Sequence, residues 1–139
     1  KIIIGNDHSA VEMKNELVKF LEEMGHEVIN VGTDGTESVD YPLFGQAVCK
    51  KVLENKNSLG IAICGTGIGI SIACNKVKGI RAGLCSESFS ARMTRKHNNA
   101  NVLCLGARVT GIELAKDIVI EEDFEGGRHQ KRIDMLEEK

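Results

Sequence analysis

The sequence contains no apolar run approaching the length of a membrane span, and no signal-peptide pattern opens it. It also lacks a dominant charge. Lys and Arg number 18 against 20 Asp and Glu, a formal net charge of −2, which removes the electrostatic case for nucleic acid or an anionic membrane as the main partner. No C-x-x-C occurs, and the five cysteines (49, 64, 74, 85 and 104) are odd in number and lie mostly in or beside apolar patterns. They read as reduced, mostly buried thiols of a cytoplasmic protein. A structural zinc site wants paired Cys or His at short spacing, and none exist, so we expect neither metal nor cofactor. Repeats, linkers and low-complexity segments are missing too. What remains is ordinary for a globular chain: 139 residues, 42% hydrophobic and 27% charged, fitting one domain (1–139) with a sizeable core. The first residue is Lys1 rather than Met, which reads as a trimmed or partial N-terminus.

One stretch organises the chain, S-L-G-I-A-I-C-G-T-G-I-G-I-S-I-A-C-N at 58–75. Leu59 to Ile63 is a short apolar run of the kind buried in a parallel sheet. Cys64 ends it, Gly65, Thr66, Gly67 and Gly69 follow, and Ile68 to Lys76 reads as a helix. A strand, a glycine turn and a helix N-terminus present backbone N–H groups and the positive end of the helix dipole to one point, which favours an anion.

The remaining segments alternate. Strands are expected at Lys1 to Ile4, Glu27 to Val31, Gly79 to Leu84 and Asn101 to Leu105. Helices are expected from Ser9 to Met24, with Ser9 as cap and Glu12 as its capping-box partner, and from Tyr41 to about Asn55, with Pro42 in the first turn. Further helices run from Ser86, at its cap, to His97, from Gly111 to about Ile120, and from Arg128 to Leu136 after the Gly126-Gly127 turn. Strands alternating with helices predict an α/β fold, a parallel sheet covered on both faces, whose ligand sits beyond the carboxyl ends of the strands. Asp7, His8, Asp34, Cys64 to Gly69, Ser86, Glu87, Gly106 and Arg108 all fall there.

Each candidate also has a plainer reading. The Gly65–Gly69 turn is richer in glycine than a tight connection needs, which favours phosphate. It lacks the terminal Gly-Lys-Ser/Thr of a Walker A loop, and Ile70 stands where G-x-G-x-x-G wants its third glycine. Cys64 is a core thiol or, because a helix N-terminus favours the thiolate, a nucleophile or general base. The other four cysteines lack that setting and read as packing residues. Asp7 caps a helix or binds; His8 is a solvated turn residue or a donor to phosphate or a sugar hydroxyl. His97 ends a helix, where a histidine is at home. Arg128 and Arg132, four apart, share a helical face that is either solvated or a fork for phosphate, with His129 and Lys131 off that face.

Taken together, G-N-D-H at 5–8, V-D-Y-P at 39–42, I-C-G-T-G-I-G-I-S-I-A-C-N-K at 63–76, G-I-R-A at 79–82, C-S-E at 85–87, H-N at 97–98, N-V-L at 101–103, G-A-R at 106–108 and E-G-G-R-H-Q-K-R at 125–132 closely resemble type B ribose-5-phosphate isomerases, in the wider group that includes the subunits of galactose-6-phosphate isomerase. The resemblance implies a Rossmann-like three-layer sandwich around a five-stranded parallel sheet. It implies a metal-free aldose–ketose isomerase of the non-oxidative pentose phosphate pathway, acting on ribose 5-phosphate and ribulose 5-phosphate. It further implies a homodimer with active sites at the interface, with pairing of dimers into tetramers left open. By the same resemblance Cys64 is the general base, Thr66 its support at the enediolate, and His97 the acid that opens the furanose ring. Asn98 lies on the sugar, Asp7 and His8 contact ring hydroxyls or phosphate, and Tyr41 lines the site. The amides of Gly65, Gly67, Ile68 and Gly69 stabilise the enediolate, and Arg108, Arg128 and Arg132 hold sugar or phosphate. The alternatives are a six-carbon substrate (allose or galactose 6-phosphate) or a non-catalytic sugar-phosphate-binding module.

Overall fold

A computed structural model describes residues 1–120 and 122–138. Five strands, β1 (Ile2–Asn6), β2 (Val28–Asn30), β3 (Leu59–Cys64), β4 (Ala82–Leu84) and β5 (Val102–Gly106), pair in parallel in the order β2-β1-β3-β5-β4. The helices are α1 (Val11–Glu23), α2 (Tyr41–Glu54), α3 (Ile68–Asn75), α4 (Ser88–Asn98), α5 (Ile112–Ile118) and α6 (Arg128–Glu137). This is the single-domain α/β sandwich expected from the alternating pattern. Among the described residues no helix is long and apolar enough to cross a membrane.

The period of two along each strand sorts the core into two layers. Ile2, Ile4, Ile61, Ile63 and Leu105 pack with Met13, Leu17 and Leu21 of α1, Ala91 of α4 and Ala115 and Ile118 of α5. Ile3, Ala62, Cys64, Val102 and Cys104 face the other way, onto Val48, Cys49 and Val52 of α2 and Ile70 and Cys74 of α3. Burying each such aliphatic side chain contributes about 1.5–3 kcal/mol.

Element ends differ from the sequence reading where side chains take over backbone duties. Ser9 does not cap α1. A 3-10 turn at His8–Ala10 comes first, capped by Asp7, whose carboxylate accepts from Ser9 N–H at 3.0 Å and Ser9 Oγ at 2.6 Å. Ala10, which carries no capping group, precedes α1, so the expected box with Glu12 is absent. Nor does Ser86 cap α4: the Glu87 carboxylate accepts from Ser90 N–H, at 3.0 and 3.1 Å. β4 starts only at Ala82, because the Ile80 amide turns back to Val77 O and the Arg81 amide donates to Asn101 Oδ1.

Lys14 was not anticipated. It sits on the buried stripe of α1 with Leu17 and Leu21, wholly shielded from solvent, and its ammonium donates to Thr33 O at 3.2 Å and pairs with Asp34. Asn6, also buried, donates to the same Thr33 carbonyl at 3.1 Å. The hydrogen bonds from Lys14 and Asn30 hold the Asp34 carboxyl below its ordinary value of 3.8. A depressed carboxylate stabilises the fold fully above its unfolded value and loses that contribution as pH falls through the lower folded value. Asp34→Asn should therefore unfold at lower denaturant than the parent at pH 7, with the gap closing below pH 3.8. A gap of constant size in urea titrations across that range would show that the pairing is not its source.

Candidate active site

The order β2-β1-β3 places the topological switch point between β1 and β3, where the connections leave in opposite directions and a crevice opens at the carboxyl edge. Asp7 and His8 leave β1 there, Cys64 ends β3, and Arg108 follows β5. A Cβ built on Gly65 would lie 3.4 Å from Arg108 Nη1 and 3.6 Å from Ser9 Oγ, so these three elements meet over the glycine loop. Arg108 N–H donates to Gly65 O at 2.9 Å, tying the β5 exit to the loop.

The Cys64 side chain faces the α2–α3 layer and is 5% exposed. Its Sγ accepts the Gly67 N–H at 3.2 Å. Gly67 has φ of 81°, a left-handed conformation that an L side chain resists, and it is this twist that starts α3 at Ile68. Thr66, exposed beside the thiol, accepts from Ile68 N–H at 3.2 Å. Two of the amides expected to face an anion, those of Gly67 and Ile68, are thus engaged within the loop. Tyr41 closes the α2 side, its ring so close to Gly69 that a Cβ there would fall 2.5 Å from Cζ.

The other thiols behave as packing groups. Cys49 donates to Cys74 O and Cys74 to Gly45 O. Hydrogen bonding with Cys74, then burial, push the Cys49 thiol far up; hydrogen bonding with Cys104 does the same for Cys74. Burial and the Glu87 charge push Cys85 up to about 11. At the β1 exit, Val39 N–H donates to His8 Nδ1 at 3.1 Å, which leaves the ring proton of neutral His8 on Nε2 as a free donor.

His97, Asn98, Arg128 and Arg132 do not join this cluster within one chain. α4 departs from the carboxyl end of β4, and its 11 residues carry it about 16 Å back along the sheet. Its last turn therefore lies at the amino edge, where Arg81, just before β4, donates to Asn98 O at 3.1 Å. α6 packs on that end: Arg81 pairs with Glu137, and the His97 and His129 rings stack with centroids 4.1 Å apart and planes 12° apart. His129 is buried, at 4% exposure, while Arg128 and Arg132 are exposed on the same helix. Glu125, its amide bonded to Lys96 O, sets its carboxylate 3.5 Å from His129 Nε2 and 3.9 Å from His97 Nε2. Spacing could not reveal this trio, because 27 residues of chain separate His97 from Glu125.

A family model described as Ribose/Galactose Isomerase matches residues 2–136. Ribose-5-phosphate isomerase B of Escherichia coli is 49% identical over 139 residues, covering 98% of this chain and 93% of that protein. Among solved structures, ribose-5-phosphate isomerase B of Clostridium thermocellum superposes with a TM-score of 0.95 at 52% identity, over 99% of this chain and 95% of the other. The Mycoplasma genitalium enzyme, solved with bound ribulose 5-phosphate, gives 0.94 at 39% identity, over 99% and 93%.

The close approach of Tyr41 to Gly69 can be tested by stability. Gly69→Ala should lower unfolding free energy by about 1–3 kcal/mol through overpacking, outweighing a helix-propensity gain of at most about 1 kcal/mol. In a Tyr41→Ala background the same change should become neutral or stabilising. An unchanged cost in that double-mutant cycle would place the clash elsewhere.

Proposed function

Since the chain belongs to the Ribose/Galactose Isomerase family, we propose that it interconverts D-ribose 5-phosphate and D-ribulose 5-phosphate through an enediolate. The observation that carries this reading is Cys64: a thiol at the switch-point crevice, its sulfur receiving an amide from the start of α3. An N–H aimed at sulfur stabilises negative charge there, and a thiolate so placed is a base able to take the proton from C2 and return it to C1. Thr66 and the amides of Gly65, Gly67, Ile68 and Gly69 surround the oxygens on which charge develops, once the loop's internal bonds yield to substrate. His8, with its Nε2 proton free, and Asp7 meet the ring hydroxyls or phosphate, Tyr41 lines the site, and Arg108 approaches from β5. His97 is the acid that opens the furanose ring, Asn98 binds the sugar beside it, and Arg128 and Arg132 hold phosphate, whose binding energy positions C1 and C2.

The two halves of this machinery lie on opposite edges of one sheet, which supports a homodimer whose sites combine one subunit's Cys64 loop with the other's α4–α6 end. Ile68 and Ile72, one turn apart on the outer face of α3, are each 55% exposed, and Leu84 beside the loop is 41% exposed. This apolar face flanks the crevice and suits a second copy. Five unpaired, buried cysteines fit the reducing cytoplasm. None of the residues given a role requires a metal.

Cys64→Ala should keep sugar-phosphate binding and lose turnover by about 10³-fold or more; near-parent turnover would remove Cys64 as base. Mixing inactive Cys64→Ala and His97→Asn chains, unfolding them together and refolding should regain roughly a quarter of parent activity, since half of random dimers then hold one intact site of two. No recovery would mean that each chain supplies both residues to its own site. Turnover should survive exhaustive chelation, and restoration of a lost rate by a divalent cation would overturn the metal-free chemistry. The family's description also names galactose, so rates on ribose 5-phosphate, allose 6-phosphate and galactose 6-phosphate decide the substrate length; a preference for either six-carbon sugar would replace the five-carbon reading.

A further inference from the structure

His97, Glu125 and His129 bring two imidazoles and a carboxylate together at the C-terminal end of α4, each offering one ligand atom and all within 4.8 Å of one another. Several features of the trio fit a bound cation better than a self-contained hydrogen-bond network. The carboxylate oxygens stand 3.5 and 3.9 Å from the two Nε2 atoms, too far to be good hydrogen bonds. A tetrahedral ion with bonds of about 2.1 Å holds neighbouring ligand atoms about 3.4 Å apart, close to those separations. The Nε2 of His129 is buried and, among the described residues, has no hydrogen-bond partner, in a residue only 4% exposed, a costly condition for a polar atom unless something completes it.

We propose that His97, Glu125 and His129 form a zinc-binding site that serves not as a cofactor site but as an inhibitory one. Two nitrogens and one oxygen with open positions left for water form a donor set suited to zinc. Binding requires both imidazoles in their neutral form. The near-parallel stack must open so that both nitrogen lone pairs point at one ion. His97, whose side chain is about a third exposed, is the ring free to swing, whereas His129 is packed. Glu125 offsets the positive charge of nearby Arg128 and Arg132, which otherwise weakens the site. Zinc at this position occupies the nitrogen that opens the sugar ring; this inhibitory half rests on the role given to His97 above, while the binding half does not.

The experiment uses tag-free, chelator-stripped full-length protein, titrated with zinc by calorimetry and with cobalt(II) by absorbance. The parent should bind about one ion per chain and develop visible bands of low-symmetry cobalt with nitrogen and oxygen ligands. His129→Gln should weaken binding by at least about ten-fold, and Glu125→Gln, altering a half-exposed side chain outside any helix, should weaken it several-fold without risk to folding. Cys64→Ser should bind as the parent does. No binding by the parent, unchanged affinity in both the His129 and Glu125 variants, or loss of binding in Cys64→Ser would overturn the site. Turnover should fall in proportion to occupancy and return on chelation; full activity at full occupancy would overturn the inhibitory half, and because binding is read separately, that result is distinguishable from failure of the site itself.

Discussion

All five strands point the same way, and almost everything else in the molecule follows from that constraint. A parallel sheet forces each connection to return the chain along the sheet before the next strand begins, so residues at strand ends gather at one edge and residues at helix ends gather at the other. The thiol loop and the arginine of β5 belong to the first group, the stacked histidines and the paired arginines to the second. No rearrangement of side chains brings the groups together, because the separation is the length of α4. The proposed apparatus, which needs both, therefore draws on two chains.

Within the α2–α3 layer, the direction of hydrogen bonds distinguishes the cysteines. Cys49 and Cys74 give their protons to carbonyls and are held as thiols; Cys64 receives a proton donor from the backbone. Similar burial thus goes with opposite hydrogen-bond directions. The difference comes from Gly67, whose left-handed conformation turns its amide inward toward the sulfur just as it starts the helix.

The sequence made some of this plain and hid the rest. The 58–75 stretch was legible because a buried strand, a glycine cluster and a helix start are all local signals, and the structure puts each where the pattern does. The caps were misjudged in part: Ser9 and Ser86 looked suitable, yet the Asp7 carboxylate caps the 3-10 turn ahead of α1, as its plainer reading had it, and Glu87 caps α4, since a nearby acceptor competes equally well and only backbone conformation decides. Lys14 left a trace, a charge at the spacing of Leu17 and Leu21, although its partner lies in a loop twenty residues on. Glu125 and His129 left none. Their meeting with His97 depends on how α6 lies across α4, a tertiary fact that no spacing encodes.

Between β2 and α2 the chain runs through residues 31–40 with neither helix nor strand, yet it is far from free. Thr33 is gripped by Asn6 and Lys14, Asp34 by Lys14 and Asn30, and Val39 by His8. Only Gly35, Thr36, Glu37 and Ser38 span the gap between these ties, all of them exposed. Closing a flexible loop costs entropy that grows only with the logarithm of its length, about 0.6 kcal/mol for each doubling. That four-residue span is therefore where the chain can accept extra length, a tag or an inserted element while keeping the Val39 tie to His8, whereas a shift by one residue at Thr33 would release the ties to Asn6, Lys14 and Asn30 together.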